Sequence, residues 1–134
     1  MKMKVYHATK FINEIINEGF KIPKYDINTV GRFGAGIYFG TNIEKAYEFG
    51  DINSIITAII DTKNILKFNY IELMKWFPNK NISIEDYEGV IELREYIISK
   101  GFLGCHICYD DGDEEVVVYD TSIISNICKY KGEF

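Results

Sequence analysis

Leu103-Gly104-Cys105-His106-Ile107-Cys108-Tyr109-Asp110-Asp111-Gly112-Asp113-Glu114-Glu115-Val116-Val117-Val118-Tyr119-Asp120 reads as strand, turn, strand. The β-branched run Val116-Val117-Val118 suits a buried strand, and Asp111-Gly112 suits the turn before it. Alternation places Glu115, Val117 and Tyr119 on one face. Five of the six positions Asp110–Glu115 are acidic. A solvated loop accounts for most of them, and their spacing lacks the alternating ligands of a calcium loop. Glu115 differs, because it stands at the mouth of the strand as a fixed carboxylate. Cys105 and Cys108 lie three apart on the preceding strand, so they point to opposite faces and cannot both reach one ion. At least one of them is expected to act as a small buried hydrophobe, and no metal is expected.

Upstream of this hairpin, strands and helices interleave. Val5-Tyr6-His7 reads as a first strand. Phe11, Ile12, Ile15 and Ile16 recur at helical spacing, and Gly19 stands where a C-terminal cap belongs. Residues 24–36 carry Gly31, Gly34 and Gly36 and read as a loop leading into the short apolar Ile37-Tyr38-Phe39. Thr41-Asn42-Ile43-Glu44 has the form of a capping box for a helix running to Phe49. Ser54–Asp61 is apolar at both parities, as in a strand covered on both faces. Asn64–Asn69 reads as a strand, and Tyr70–Phe77 as a helix stopped by Pro78. Ile84–Ser99 reads as a longer helix with Val90, Leu93 and Ile97 on its stripe. The pattern predicts one α+β domain spanning residues 1–134.

Two further places are chemically unusual. His7-Ala8-Thr9 sits where a strand meets a helix, and helix N-termini present unpaired N–H groups. Thr9 is a candidate N-cap there, and His7 a candidate half-buried core histidine or ligand group. Gly34-Ala35-Gly36 precedes Tyr38, and glycine permits close approach of a ligand to backbone. Ile37 and Phe39 should face away from Tyr38.

The chain has 134 residues, 47% hydrophobic and 26% charged, with a net charge of −5. That size supports a self-sufficient core. The acidic balance argues against a general nucleic-acid binder, which needs a basic footprint. Three cysteines without framework spacing fit a reducing compartment. No apolar segment follows Met1-Lys2-Met3-Lys4, and the longest apolar run, Ile55–Ile60, is too short for a bilayer. A soluble, cytoplasmic protein with no membrane partner is expected. Export as a toxin or effector by another route would leave the same signature.

Taken together, the three places resemble the ADP-ribosyltransferase superfamily in its His-Tyr-Glu branch, which includes poly(ADP-ribose) polymerase catalytic domains and diphtheria-toxin-like enzymes. Tyr6-His7-Ala8-Thr9-Lys10 resembles the first motif, Gly34-Ala35-Gly36-Ile37-Tyr38-Phe39 the second, and Glu115-Val116-Val117-Val118-Tyr119-Asp120 the third. The resemblance implies two small packed β-sheets around an NAD cleft, with flanking helices. It implies NAD as substrate, with His7 and Thr9 at the adenosine ribose and the Ala8 backbone on the nicotinamide amide. Gly36 would line the cofactor site, Tyr38 would stack on nicotinamide, and Phe49 is a second stacking candidate. Glu115 would act at the nicotinamide ribose, and Asp113 would lie on the acceptor side. Ala8 stands where polymerases carry Gly, and Ala46 near where they carry Ser. The short chain, without room for elongation surfaces, implies mono-ADP-ribosyl transfer to a macromolecule. The acceptor is expected to be protein. DNA or RNA is the other choice, served by Lys2, Lys4, Lys10, Lys21, Lys24 and Arg32. A toxin of this kind would also have an inhibitory partner. NAD hydrolysis and a catalytically silent NAD-binding or interaction domain are the competing readings.

Overall fold

The computed structural model describes residues 1–22, 33–48, 50, 52–76 and 87–131. In chain order its elements are β1 (Lys2–Ala8), α1 (Ile12–Glu18), β2 (Ile37–Gly40), α2 (Ile43–Tyr47), β3 (Ile55–Asp61), β4 (Ile65–Asn69), α3 (Tyr70–Trp76), α4 (Tyr87–Ser99), β5 (Gly104–Cys108), β6 (Glu114–Val118) and β7 (Ile124–Lys129). Single 3₁₀ turns precede β3 and β7. The class is α+β, as expected. The expected helix start at residues 84–86, and Phe49, Phe77 and Pro78, lie outside the described residues.

The strands form a seven-stranded sheet in the order β4-β5-β6-β2-β1-β3-β7. All neighbours are antiparallel except β4 and β5. A parallel pair needs a crossover, and here α3 and α4 lie in the connection. Their apolar side chains Leu73, Leu93 and Ile97 bury against Phe68, Cys105, Ile107, Val117 and Tyr119 on one face of the sheet. The opposite face is covered by α1, where Ile12, Ile15 and the following Phe20 meet Val5, Ile37, Phe39, Ile56, Val116 and Val118. On the first face, α2 sets Ala46 and Ile43 against Tyr6, Ile55 and Tyr130.

The hairpin is present. Cys108 pairs with Glu114, and the ladder runs to Gly104 and Val118. Gly112 takes φ +92° in its turn, a conformation that costs glycine little. The Asp111 carboxylate accepts the Asp113 N–H at 2.9 Å.

Three details differ from the sequence reading. The cap of α2 is Asn42, whose Oδ1 accepts the Lys45 N–H at 2.8 Å, rather than Thr41. Both residue types cap well, and the helix starts one residue later. The second strand pair at the C-terminus was not anticipated: β7 adds to β3. Its register slips between Thr57 and Ile59, and Asn126 takes φ 51° there, the signature of a bulge. This irregularity hides the strand's alternation. Thirdly, two small sheets were expected, and strand pairing instead runs continuously from β4 to β7. The join between β1 and β2 is narrow, a single Cα pairing of Tyr6 with Gly40. Among the described residues, no helix is long and apolar enough to cross a membrane.

Candidate functional site

The narrow join has a local cause. The Thr9 N–H donates to the Ser54 carbonyl at 2.7 Å, so Thr9 turns its backbone toward β3. Backbone direction alternates along a strand. Ala8 therefore turns its N–H and C=O toward β2, as Tyr6 does. The next bond of that ladder would join Ala8 to Tyr38. Instead the Tyr38 carbonyl lies 2.7 Å from Nδ1 of His7. A carbonyl only accepts, so Nδ1 carries the hydrogen and Nε2 is the acceptor of the ring. The imidazole thus occupies the carbonyl that would have zipped β1 onto β2, and the strands part beyond Tyr6 and Gly40.

His7 is held from the other side by aromatic rings. Its centroid lies 5.3 Å from Phe20, edge-on, and 5.6 Å from Phe39. Burial lowers its pKa from the ordinary value, and the hydrogen bond to Tyr38 offsets part of that shift. The ring is neutral near pH 7. A cavity of about 220 Å3 lies beside it, bordered by Phe11, Ile15, Glu18, Phe20 and Ile37. Thr9 is not the cap of α1: the cap position is Phe11, which makes no side-chain capping bond, and the Thr9 hydroxyl accepts the Phe11 N–H at 3.0 Å in the turn ahead of the helix.

The glycine-rich segment is fixed by three long side chains. The Tyr38 hydroxyl donates to the Gly34 carbonyl at 2.7 Å and accepts the Phe33 N–H at 3.0 Å. The Tyr119 hydroxyl donates to the Phe33 carbonyl at 2.7 Å. Nε of Arg94 donates to the Ala35 carbonyl at 2.7 Å, and its guanidinium lies over the Tyr119 ring. Desolvation pushes the Tyr38 and Tyr119 phenols well above their ordinary range. Both act as neutral hydrogen-bonding groups. Gly34 has φ +92°, and a Cβ there would meet Arg94 side-chain atoms at 2.9 Å. At Gly36 a Cβ would meet Val117 Cγ1 at 2.8 Å and the Val118 carbonyl oxygen at 2.9 Å. Gly36 therefore serves the contact of β2 with β6.

Tyr38 and Glu115 share a face. Gly40 pairs with both Tyr6 and Glu115, and Tyr38 pairs with Val117. Ile37 and Phe39 point to the opposite face, as expected, and so does His7. Glu115 is half-buried, and its charge contributes to raising the Tyr38 phenol and the Cys105 thiol. Asp113 is engaged: its Oδ2 lies 3.2 Å from Nζ of Lys45, which also reaches Glu48 at 3.0 Å. These contacts raise the Lys45 pKa, Glu48 contributing most. The Lys45 link ties α2 to the β5–β6 turn.

A scan against protein-family models finds no match for the chain, and a search of the curated proteins finds none either. The site therefore rests on its own geometry. His7, Tyr38 and Glu115 lie on neighbouring strands, but the His7 ring packs on the α1 face while Tyr38 and Glu115 share the opposite face, and Gly36 is taken up by its contact with β6. Phe49 lies outside the described residues. Sequence reading missed Arg94 and Lys45, which act across 59 and 68 positions of chain. It also missed the pairing of His106 with Glu114, whose Nε2 and Oε1 lie 2.8 Å apart. Alternation puts His106 and Cys108 on one face, opposite Cys105, and the β5–β6 register brings Glu114 to the same face.

Proposed function

We propose that the chain is a mono-ADP-ribosyltransferase that cleaves the nicotinamide–ribose bond of NAD and passes ADP-ribose to a macromolecule. The observation that carries this reading is the interrupted ladder at His7. The Ala8 amide and carbonyl face the gap between β1 and β2, a donor and an acceptor at the spacing a carboxamide needs. Tyr38 and Glu115 lie on the strands beyond that gap. In this reading the gap is the cleft, and the β1–β2 join is where the sheet divides around NAD. The cavity beside His7 lies on the α1 face, opposite Tyr38 and Glu115, so in this reading it takes one portion of the dinucleotide and the rest passes through the gap, since whole-ligand sites run to roughly 300–1,000 Å3.

The chemistry suits these groups. Cleavage of an N-glycoside passes through an oxocarbenium-like state, as in glycosidases. Positive charge grows on the ribose, so the fixed Glu115 carboxylate stabilises the transition state more than the ground state. Neutral His7 presents Nε2 as an acceptor for a ribose hydroxyl. Tyr38 is the stacking group, its ring oriented by the two hydrogen bonds at its hydroxyl. Nicotinamide leaves with the pair of the broken C–N bond, the acceptor's nucleophilic atom bonds to the ribose carbon, and its proton passes to solvent. Protein is the favoured acceptor on the chain's acidic balance, with DNA or RNA as the other choice.

Labelled NAD tests the reading. The purified chain is incubated with NAD and cell lysate, and nicotinamide release and macromolecular label are followed together. Label removed by protease identifies a protein acceptor, and label removed by nuclease a nucleic acid. Free ADP-ribose without label identifies a glycohydrolase. Intact NAD refutes catalysis and leaves a silent binding domain.

A further inference from the structure

We propose that His106, Cys108 and Glu114 form a binding site for a divalent cation of the zinc class, on the face of the β5–β6 hairpin opposite Glu115. Residues two apart on a strand share a face, so β5 presents His106 and Cys108 together. Glu114 pairs directly with Cys108 across the ladder. Nε2 of His106 lies 2.8 Å from Oε1 of Glu114, and Sγ of Cys108 lies 3.7 Å from the same oxygen. All three ligand atoms fall within 4.8 Å of one another.

Two of the three donor–donor distances, nitrogen–oxygen and sulfur–oxygen, are close to what a tetrahedral ion requires. Bonds of about 2.0–2.1 Å to nitrogen and oxygen and about 2.3 Å to sulfur put neighbouring donors roughly 3.3–3.6 Å apart. The sulfur–oxygen distance is already there. The nitrogen–oxygen pair must open by about half an ångström. The Glu114 side chain can make that move, being 38% exposed, while His106 at 7% is held in place. Imidazole, thiolate and carboxylate are the donor types zinc prefers, and three protein ligands leave a fourth position open. The thiolate and carboxylate together cancel the charge of a divalent ion. On binding, the Cys108 thiol proton leaves to solvent, and the imidazole hydrogen moves to Nδ1, baring Nε2. The ion would staple the two strands next to the turn that carries Asp113. It does not depend on the transferase reading.

Cobalt(II) is the probe, because thiolate ligation gives a near-ultraviolet charge-transfer band and tetrahedral geometry gives intense visible bands. The full-length chain, chelator-stripped and reduced, is titrated with cobalt and then with zinc. Saturation at one ion per chain with a thiolate band, displaced by zinc, is expected. Cys108→Ser should abolish the band and weaken binding by about 100-fold or more. Glu114→Gln should weaken binding by about 10-fold and keep the band. Cys128→Ser, on exposed β7, should change neither. A mutation-free reading uses alkylation: zinc should slow modification of Cys108 by at least about 10-fold and leave Cys128 unaffected. Absence of a thiolate band at millimolar cobalt, its persistence in Cys108→Ser, its loss in Cys128→Ser, or equal alkylation with and without zinc overturns the proposal.

Discussion

Replacing Gly36 by alanine separates two roles that the residue could play. A glycine beside a ligand site can be there to let the ligand approach, or to let two strands approach. The contacts favour the second. The added methyl would sit 2.8 Å from Val117 Cγ1, 2.9 Å from the Val118 carbonyl oxygen and 3.1 Å from Tyr119 Cδ1. Ordinary carbon contacts need about 3.5–4.0 Å, so β2 and β6 must separate by most of an ångström. The Val118 carbonyl belongs to backbone paired on both sides, at Ile37 and at Gly104, and cannot swing aside as a flexible side chain would. Val117 is fully buried in the core under α3 and α4. Overpacking of this kind costs about 2–3 kcal/mol. With an unfolding entropy near 2.1 cal/mol/K per residue over 134 residues, the midpoint should fall by about 7–11 °C. Thermal unfolding followed by circular dichroism, with and without NAD, measures it. Gly112→Ala is the control for cost without crowding, since nothing lies within 4 Å of its Cβ position and only the positive φ opposes it, about 1 kcal/mol. A Gly36→Ala midpoint within about 1 °C of wild type, with NAD stabilisation lost, would refute the packing argument and return Gly36 to the ligand.

Other expectations follow from the same geometry. Glu115→Gln should lower nicotinamide release by about 10²–10³-fold while NAD still raises the melting temperature; a comparable loss in Glu114→Gln, whose side chain is on the opposite face, with Glu115→Gln near normal, would remove Glu115 from the chemistry. Asp113→Ala should reduce acceptor labelling more than nicotinamide release if Asp113 positions the acceptor, and Lys45→Ala separates that role from the α2 tether: parallel losses in both variants mean the tether alone matters. Tyr119→Phe should destabilise by about 1–2 kcal/mol in urea unfolding, because the Phe33 carbonyl loses its donor and the Cys105 thiol, 3.6 Å away, loses one of its partners. His7 should make stability fall in acid: its folded pKa is depressed, so its contribution is complete above the ordinary value of 6.5 and declines as pH drops below it. Melting curves of wild type and His7→Gln between pH 7.5 and 5.5 read this as a flatter acid limb in the variant, roughly 7.5 to 5.5 spanning that titration.

Periodicity made most of the elements legible. The β5–β6 hairpin could be read from residues 103–120 because alternation, β-branching and an Asp-Gly turn agree over one short span. Leu93 and Ile97 marked their own helix face, and both are buried. The last strand was not legible. A bulge at Asn126 breaks its period, and its exposed positions give a weak apolar signal. The cap of α2 was placed one residue early because Thr41 and Asn42 both satisfy the local rule, and only the backbone selects between them.

By itself, the sequence determined the α+β class, the hairpin and the sorting of side chains to two faces, because these depend on near neighbours. It placed Ile37 and Phe39 opposite Tyr38, and Cys105 opposite Cys108. It also singled out His7, Tyr38 and Glu115. Only the tertiary structure decided what surrounds them. The His7 ring takes the Tyr38 carbonyl 31 positions away, Arg94 and Tyr119 fix the segment before β2, and Lys45 engages Asp113 across 68. Strand order is likewise non-local: β2 lies between β1 and β6, and neither its length nor its composition says so. Hydrogen bonds and close packing act over a few ångströms, while the chain brings these partners together only by folding. The local alphabet therefore named the groups, and the closure of the sheet assigned their partners.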